Sequence, residues 1–433
     1  MDATPTGLAA GGGRSGWRAD DNGPVRIISE ARLATMLGAL PGVPRVVTGG
    51  NFATAWRALG VLDAAIAQYR LFMLNAQDGV PDRDGVRLET AFAGPGMRGR
   101  ERLRYFPCRL SLVPLLLSSA LPPDVVLLHT SAPADGNVSL GIEVNILPAA
   151  IEAAHARGGM VVAQLNPAVP YTYGDAVLSV DDIDYAIEAA EPLPSPAPRG
   201  TSQVAEQIGE RVAKLVPEGA TLQVGIGATP DAFLAALRAR RGMRVWSEMF
   251  SDGVLGLQQA GALDPGSPVI ASFAFGSQEL YSWMDRNRDV VMLRTESVND
   301  PARISRHPRM TSVNTALQVD LFAEANASAV NGRIYSGFGG QTDFIVGALH
   351  SHDGLAIIAL PSWHPKADVC TVVPRLTGPV TSFQHSFIVS EQGTAAIWGH
   401  DSSAQAEQII AQVAHPSARD ELRDAGRGLG FQL

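Results

Sequence analysis

Two cysteines and two lysines are all that the 433-residue chain holds of either type. Cys108 and Cys370 form no CxxC pair, which argues against a zinc site or a dithiol redox motif. Free buried thiols in a reducing cytoplasm account for them more simply than a disulfide does. The lysines, Lys214 and Lys366, stand beside 32 arginines. With the abundant alanine, that bias reads as a GC-rich genome rather than a function. Positive charge is short overall: the formal net charge is -9 and the pI near 5.5. A basic face for nucleic acid is not expected. Long apolar runs are missing too. The most apolar stretch, Leu110 to Leu121, is too short to span a bilayer and is closed by Pro122 and Pro123. The N-terminal MDATPTGLAAGGGRSGWRADDNGP has no basic start followed by an apolar run, so a secretory signal is not expected. Residues 1–24 read as a flexible tail, and the expected location is the cytoplasm, with no membrane partner.

What is present suits a large α/β protein. The length allows two to three domains, each able to bury a core. EPLPSPAPRG, residues 191–200, is a proline-rich linker that divides the chain near its middle. The expected domains are 25–195 and 196–433. Val125 to Pro133 and Met160 to Asn166 read as strands, with a helix over Ile146 to Gly159 between them. In the second half TLQVGIG, VIASFAF, DVVMLRT and LAIIALP read as strands with helices between. Such alternation predicts largely parallel sheets. Two halves of like pattern predict two related open α/β domains with the active site in the cleft between them.

Three loops and one acid carry the chemistry. Glu248, in WSEMFSDGVLGL, follows a short strand over Met243 to Trp246 and precedes a helix starting at Ser251. That places it on the ligand side of an open α/β sheet, although position alone fits a solvated loop acid equally. In TLQVGIGATPDAFLAAL a strand runs into Gly225, Ile226 and Gly227 before a helix that starts near Pro230 and Asp231. Glycines there let a ligand approach backbone N–H groups, although a tight turn explains a lone GxG as well. Pro230 stands where a dinucleotide fingerprint would need its third glycine. YSGFGGQTDF has Gly337, Gly339 and Gly340 within four residues, a pattern for an anion-binding nest or a plain turn. Asn299 in SVNDP either turns the chain or aims its amide at an oxyanion. A nucleophilic carboxylate needs such N–H donors around the acyl carbon that it attacks. The set fits acyl transfer better than hydride or phosphoryl transfer, and Walker A, HExxH and GxSxG are absent.

The blocks GIGATPDAFL, WSEMFSDGVLGL, SVNDP, TSVNTALQVDLFA, YSGFGGQTDFIVGA, IIALPS, VSEQGTAAIWG and AHPSARDELR occur in this order. With SLVPLLL, PPDVVLLHTSAPADGNVSLGIEV and SVDDIDYAIEAAEPL in the first half, the chain resembles the acetyl-CoA hydrolase/transferase family. The resemblance is to the 4-hydroxybutyrate and acetate CoA-transferase type, and it covers all but about the first 40 residues and perhaps the last few. It implies a homo-oligomer, a homodimer or homotetramer, that exchanges coenzyme A between an acyl-CoA and a small carboxylic acid without a metal. It puts the nucleophile at Glu248, the CoA-side loop at Gln223 to Gly227 (Gln223, Val224, Gly225, Ile226, Gly227), and the oxyanion donors at Asn299 and Gly340. Gly337, Gly339 and Lys366 are further CoA-side candidates. The aromatics Trp246, Phe250, Tyr335, Phe338 and Trp363 are candidates for the acyl pocket, with core packing as the alternative. The chain departs from the family pattern at Gln392, at Ala395 to Ile397, and at Tyr171 and Thr371, where arginines are common. A neutral residue in place of an arginine cannot bind a carboxylate or phosphate through two parallel N–H groups, which suggests a specialised acid. Hydrolysis of an acyl-CoA, a biosynthetic acyl transfer and non-catalytic binding of a CoA ester are the competing readings.

Overall fold

The structure, a computed structural model, describes residues 26–195, 200, 202–378 and 384–433. The expected tail, residues 1–24, and the middle of the linker, 196–199, lie outside the described residues.

Seven strands form the first sheet, all parallel. From edge to edge they are Tyr185–Glu188, Met160–Leu165, Val125–Thr130, Arg45–Thr48, Tyr69–Phe72, Val86–Thr90 and Leu103–Tyr105. Every residue of Val125–Thr130 is buried, as expected of a parallel strand covered on both faces. The reading from sequence found two of these strands. The three on the far side are short and carry Arg70, Arg87, Glu89 and Arg104, so they lack a clean apolar run.

The second sheet runs Arg244–Val245, Thr221–Gln223, Met310–Thr315, Leu355–Ala359, Phe387–Val389 and Thr394–Ala396, with only the last strand antiparallel. Its strand order reverses at Thr221–Gln223, whose neighbours lie later in the chain on both sides. Loops at the carboxyl ends of strands at such a reversal form the usual ligand crevice of open α/β sheets. Gly225 to Gly227 is the loop at that point.

The stretch Val269 to Phe275 was expected as one strand. It is two, in different sheets. Val269–Ala271 pairs with Val290–Met292, which in turn pairs with Tyr173–Gly174 from the first half. Phe273–Ala274 pairs with Met249–Phe250. Ser272 makes the break, its hydroxyl donating to the Leu293 carbonyl at 2.8 Å. The largest apolar cluster is continuous across the halves, from Val47 and Leu128 to Val224, Phe233 and Phe250. Among the described residues, no helix is long and apolar enough to cross a membrane.

Candidate active site

Glu248 lies between the short strands Arg244–Val245 and Met249–Phe250, and its backbone is held from three sides. Its carbonyl accepts from Ser272 N at 2.9 Å and Phe273 N at 3.2 Å. The Ser247 hydroxyl donates to the Val224 carbonyl at 3.0 Å and accepts from Val224 N at 3.1 Å, tying the strand to the Gly225–Gly227 loop. The Trp246 indole donates to the Val298 carbonyl at 2.9 Å. This last bond fixes the end of helix Thr295–Val298, and Asn299 follows it directly.

Three of the expected residues converge. The Asn299 amide Nδ2 donates to Glu248 Oε2 at 3.1 Å, and Gly340 N–H donates to the same carboxylate. A Cβ at Gly340 would lie 1.8 Å from Glu248 Oε2 and 2.3 Å from Asn299 Nδ2, so the backbone approaches closely because no side chain is there. Asn299 is fully buried and Glu248 keeps only part of its surface open. Burial of the carboxyl pushes its pKa up to about 7. The Asn299 and Gly340 hydrogen bonds oppose that rise, and repulsion from Asp343 adds to it. In this resting arrangement the two donors hold the carboxylate itself.

Of the CoA-side candidates, Gly225 and Gly227 border open space: an added Cβ at either would meet nothing within 4 Å. Gly227, at φ 125, turns the chain into helix Ala228–Ala236. Ile226 is exposed. Val224 and Gln223 are buried, and the Gln223 side chain is engaged within the sheet. Its Oε1 accepts from Ser312 Oγ at 2.7 Å and Asn314 Nδ2 at 3.1 Å. Gly337 and Gly339 face the first half, where a Cβ would strike the Ala91 carbonyl at 2.8 Å and the Phe92 ring at 2.9 Å. Lys366 lies exposed in the loop between the paired strands Trp363–His364 and Val369–Cys370.

Of the aromatics that could line either the acyl pocket or the core, two take the core. Trp246 and Phe250 are buried core residues. Trp246 packs against His307 at 4.3 Å between ring centroids, and Phe250 sits edge-on to Trp283. Trp363 stacks near His415 and donates to Asp368. Tyr335 is exposed under the Arg98 guanidinium, and Phe338 is half-buried in the same loop. A different aromatic pair joins the two halves. Phe275 N donates to the Phe250 carbonyl, two residues past Glu248, and the Phe275 ring stacks on Phe52 at 3.5 Å. Phe52 sits in a first-half loop anchored on buried Glu143, which accepts from the N–H groups of Gly50, Asn51 and Ala53 and from the Asn51 amide. No sequence pattern marked Phe52 or Phe275, because their proximity depends on the packing of the halves.

At the departures from the family pattern, Thr371 is buried with its hydroxyl on the Pro361 carbonyl at 2.6 Å. Gln392 reaches Glu391 at 3.2 Å and Ser362 at 3.4 Å. Tyr171 lies beneath Arg286, with ring and guanidinium 5.3 Å apart. Both cysteines are free and half-buried. Among the described residues, no three His, Cys, Asp or Glu side chains come together as a metal site.

The acetyl-CoA hydrolase/transferase N-terminal domain profile matches residues 61–195 and the C-terminal domain profile residues 276–426. The 4-hydroxybutyrate coenzyme A transferase of Clostridium kluyveri is 36% identical over 334 residues, 74% of this chain and 76% of that protein. The succinyl-CoA:acetate/propanoyl-CoA:succinate CoA transferase of Fasciola hepatica is 35% identical over 84% of this chain and 80% of its own. The crystal structure of RipA from Yersinia pestis superposes with a TM-score of 0.87 at 25% identity, covering 94% of this chain and 98% of its own.

Proposed function

The chain belongs to the acetyl-CoA hydrolase/transferase family, and from that premise we propose that it transfers coenzyme A between an acyl-CoA and a carboxylic acid, with Glu248 as nucleophile. The observation that carries the reading is the single carboxylate facing two N–H donors, Asn299 Nδ2 and Gly340 N. A carboxylate with a pKa near 7 is more basic than an ordinary one, and about half of it is ionised and ready to attack at neutral pH.

The steps balance as follows. A Glu248 oxygen attacks the acyl carbon, the C–S bond breaks, and CoA leaves as thiolate with a mixed anhydride left on the enzyme. The thiolate then attacks the Glu248 carbonyl carbon, and the donor acid leaves as carboxylate. The glutamyl-CoA thioester that remains is attacked by the acceptor carboxylate, and the same two steps run in reverse. Each attack places negative charge on a carbonyl oxygen, and fixed N–H donors stabilise it. Asn299 and Gly340 serve the acyl oxyanion, and the open backbone at Gly225 to Gly227 serves the glutamyl side. Lys366 and the N–H groups of Gly337 and Gly339 remain candidates for the distal parts of CoA. Residues 25–195 and 196–433 act as the two domains, and the working form is a cytoplasmic homo-oligomer.

The family description also names hydrolysis, in which water takes the acceptor's place. Product analysis with and without acetate separates the two. The mechanism is tested by mixing the protein with short acyl-CoAs, without an acceptor, and treating with borohydride. Reduction converts the Glu248 thioester to an alcohol. The expected result is that mass change on the Glu248 peptide, absent in Glu248→Ala. No change with any ester that the enzyme turns over would refute the covalent route.

A further inference from the structure

Asp343 lies in the first turn of helix Gln341–His350, three residues beyond Gly340, and is fully buried. Both of its oxygens are taken by one residue of the first half. Oδ2 accepts from Ser111 N at 3.1 Å and Oδ1 from Ser111 Oγ at 3.0 Å. Beside this clamp, Leu110 N donates to the Gly339 carbonyl at 3.2 Å. Two consecutive residues of the turn Leu110–Leu112 thus grip the glycine loop on either side of Gly340. No salt bridge reaches Asp343 among the described residues. A buried carboxylate without an ion pair is costly, and an amide of the same shape could accept from Ser111 at less cost.

We propose that Asp343 is a positioning residue for the transfer: clamped to Ser111, it holds the Gly340 N–H at the reacting carboxylate and sets a negative charge against Glu248. The proposal rests on the covalent reading above. The charge has a direction of effect. Glu248 is an anion at rest and neutral as a thioester. Repulsion from Asp343 therefore acts on the resting state and is relieved when the thioester forms. Burial pushes Asp343 itself up to about 6, so it is ionised at neutral pH. The other groups facing it are Arg109 and Cys108 from the segment before the turn, and Asp300 at the start of helix Pro301–Ile304.

The test uses the full chain with Asp343→Asn, Asp343→Ala and Ser111→Ala. Borohydride trapping on the wild type comes first; if no adduct forms there, the covalent reading fails before Asp343 is in question. Given an adduct, Asp343→Ala should lower kcat by about tenfold to a hundredfold, the usual cost of misplacing a reacting group by about 1 Å. KM for the acyl-CoA should change little. Ser111→Ala should lower kcat in the same direction by less. Asp343→Asn should move the acid limb of kcat/KM to lower pH. It should also reduce the fraction of Glu248 held as thioester at a fixed ratio of acyl-CoA to free acid, by roughly twofold to tenfold. A merely structural residue would leave that fraction and that limb in place. If Asp343→Ala does not fold, the other two variants decide. An unmoved acid limb and thioester fraction in Asp343→Asn, or an unchanged kcat in Ser111→Ala, would overturn the proposal.

Discussion

Replacing Glu248 with glutamine should make the protein more stable, and only above a certain pH. Burial raises the Glu248 pKa from an ordinary 4.5 to about 7. A group whose folded pKa lies above its unfolded value binds extra protons in the folded state between the two. Its contribution to stability is complete below pH 4.5 and is lost as pH rises through 7. Glutamine keeps the shape and the oxygen that accepts from Asn299, but it never ionises. At about 1.4 kcal/mol per pH unit, the shift sets a ceiling between about 3 and 4 kcal/mol on the variant's gain. Partial exposure of Glu248 brings the expected figure to between about 1 and 3 kcal/mol. The assay is urea unfolding of both proteins at pH 5 and pH 8, with Asp343 titrating in each. Glu248→Gln should show a small difference from wild type at pH 5 and a gain at pH 8. A difference that is the same at both pH values, or a variant less stable at pH 8, would refute the claim that the site holds a destabilised carboxylate.

Two glycine substitutions separate the loops. Gly340→Ala puts a methyl group on the Glu248 carboxylate, so kcat should fall by about a hundredfold or more while the circular dichroism spectrum stays that of the wild type. A kcat within about threefold of wild type would mean that Gly340 is not at the reacting group. Gly225 has neither a positive φ nor a neighbour within 4 Å of its missing Cβ. Gly225→Ala should therefore keep wild-type stability yet weaken binding of CoA esters, read as a raised KM or a weaker titration with CoA. Unchanged CoA affinity would remove that loop from the CoA site.

The proposed chemistry of this chain is legible in sequence where it lies in the backbone. Glycine loops at strand ends, and an acid after a short strand, leave a linear mark. Glu248, Asn299 and Gly340 are far apart in sequence, but each sits in such a block, and the order of blocks made all three candidates before the structure brought them together. What stayed hidden depends on partners from the other half. Asp343 is one polar residue in the first turn of a helix until Ser111 is beside it. Phe52 is one loop aromatic until Phe275 lies on it. The opposite error has the same origin. Trp246 and Phe250 stand two residues to either side of Glu248, where regular alternation would put all three side chains on one face, but the strand is broken at Ser247 and Glu248 and both rings face the core. Trp246 still serves the site, since its indole fixes Val298 beside Asn299. The strands Tyr69–Phe72 and Val86–Thr90 escaped notice because Arg70, Arg87 and Glu89 interrupt their apolar residues and leave no run to read.

All three groups of the proposed reaction centre come from the second half, yet first-half residues hold the segments of two of them. Asn299 ends a helix whose first residue is held by Asn145: Thr295 N donates to the Asn145 carbonyl at 2.9 Å and Thr295 Oγ1 to its Oδ1 at 3.0 Å. Gly340 is gripped through Leu110 and Ser111, and the start of its loop through Ala93 N on the Ser336 carbonyl. Reaction rates fall steeply with displacements of about 1 Å. A shift of the halves would therefore be felt at the two donors, and at Glu248 through Ser272, whose carbonyl accepts from Val144 N and Asn145 N. On the proposed mechanism, the interface between the halves is thus part of the catalytic geometry. The half without the proposed nucleophile helps to place the N–H groups that face Glu248.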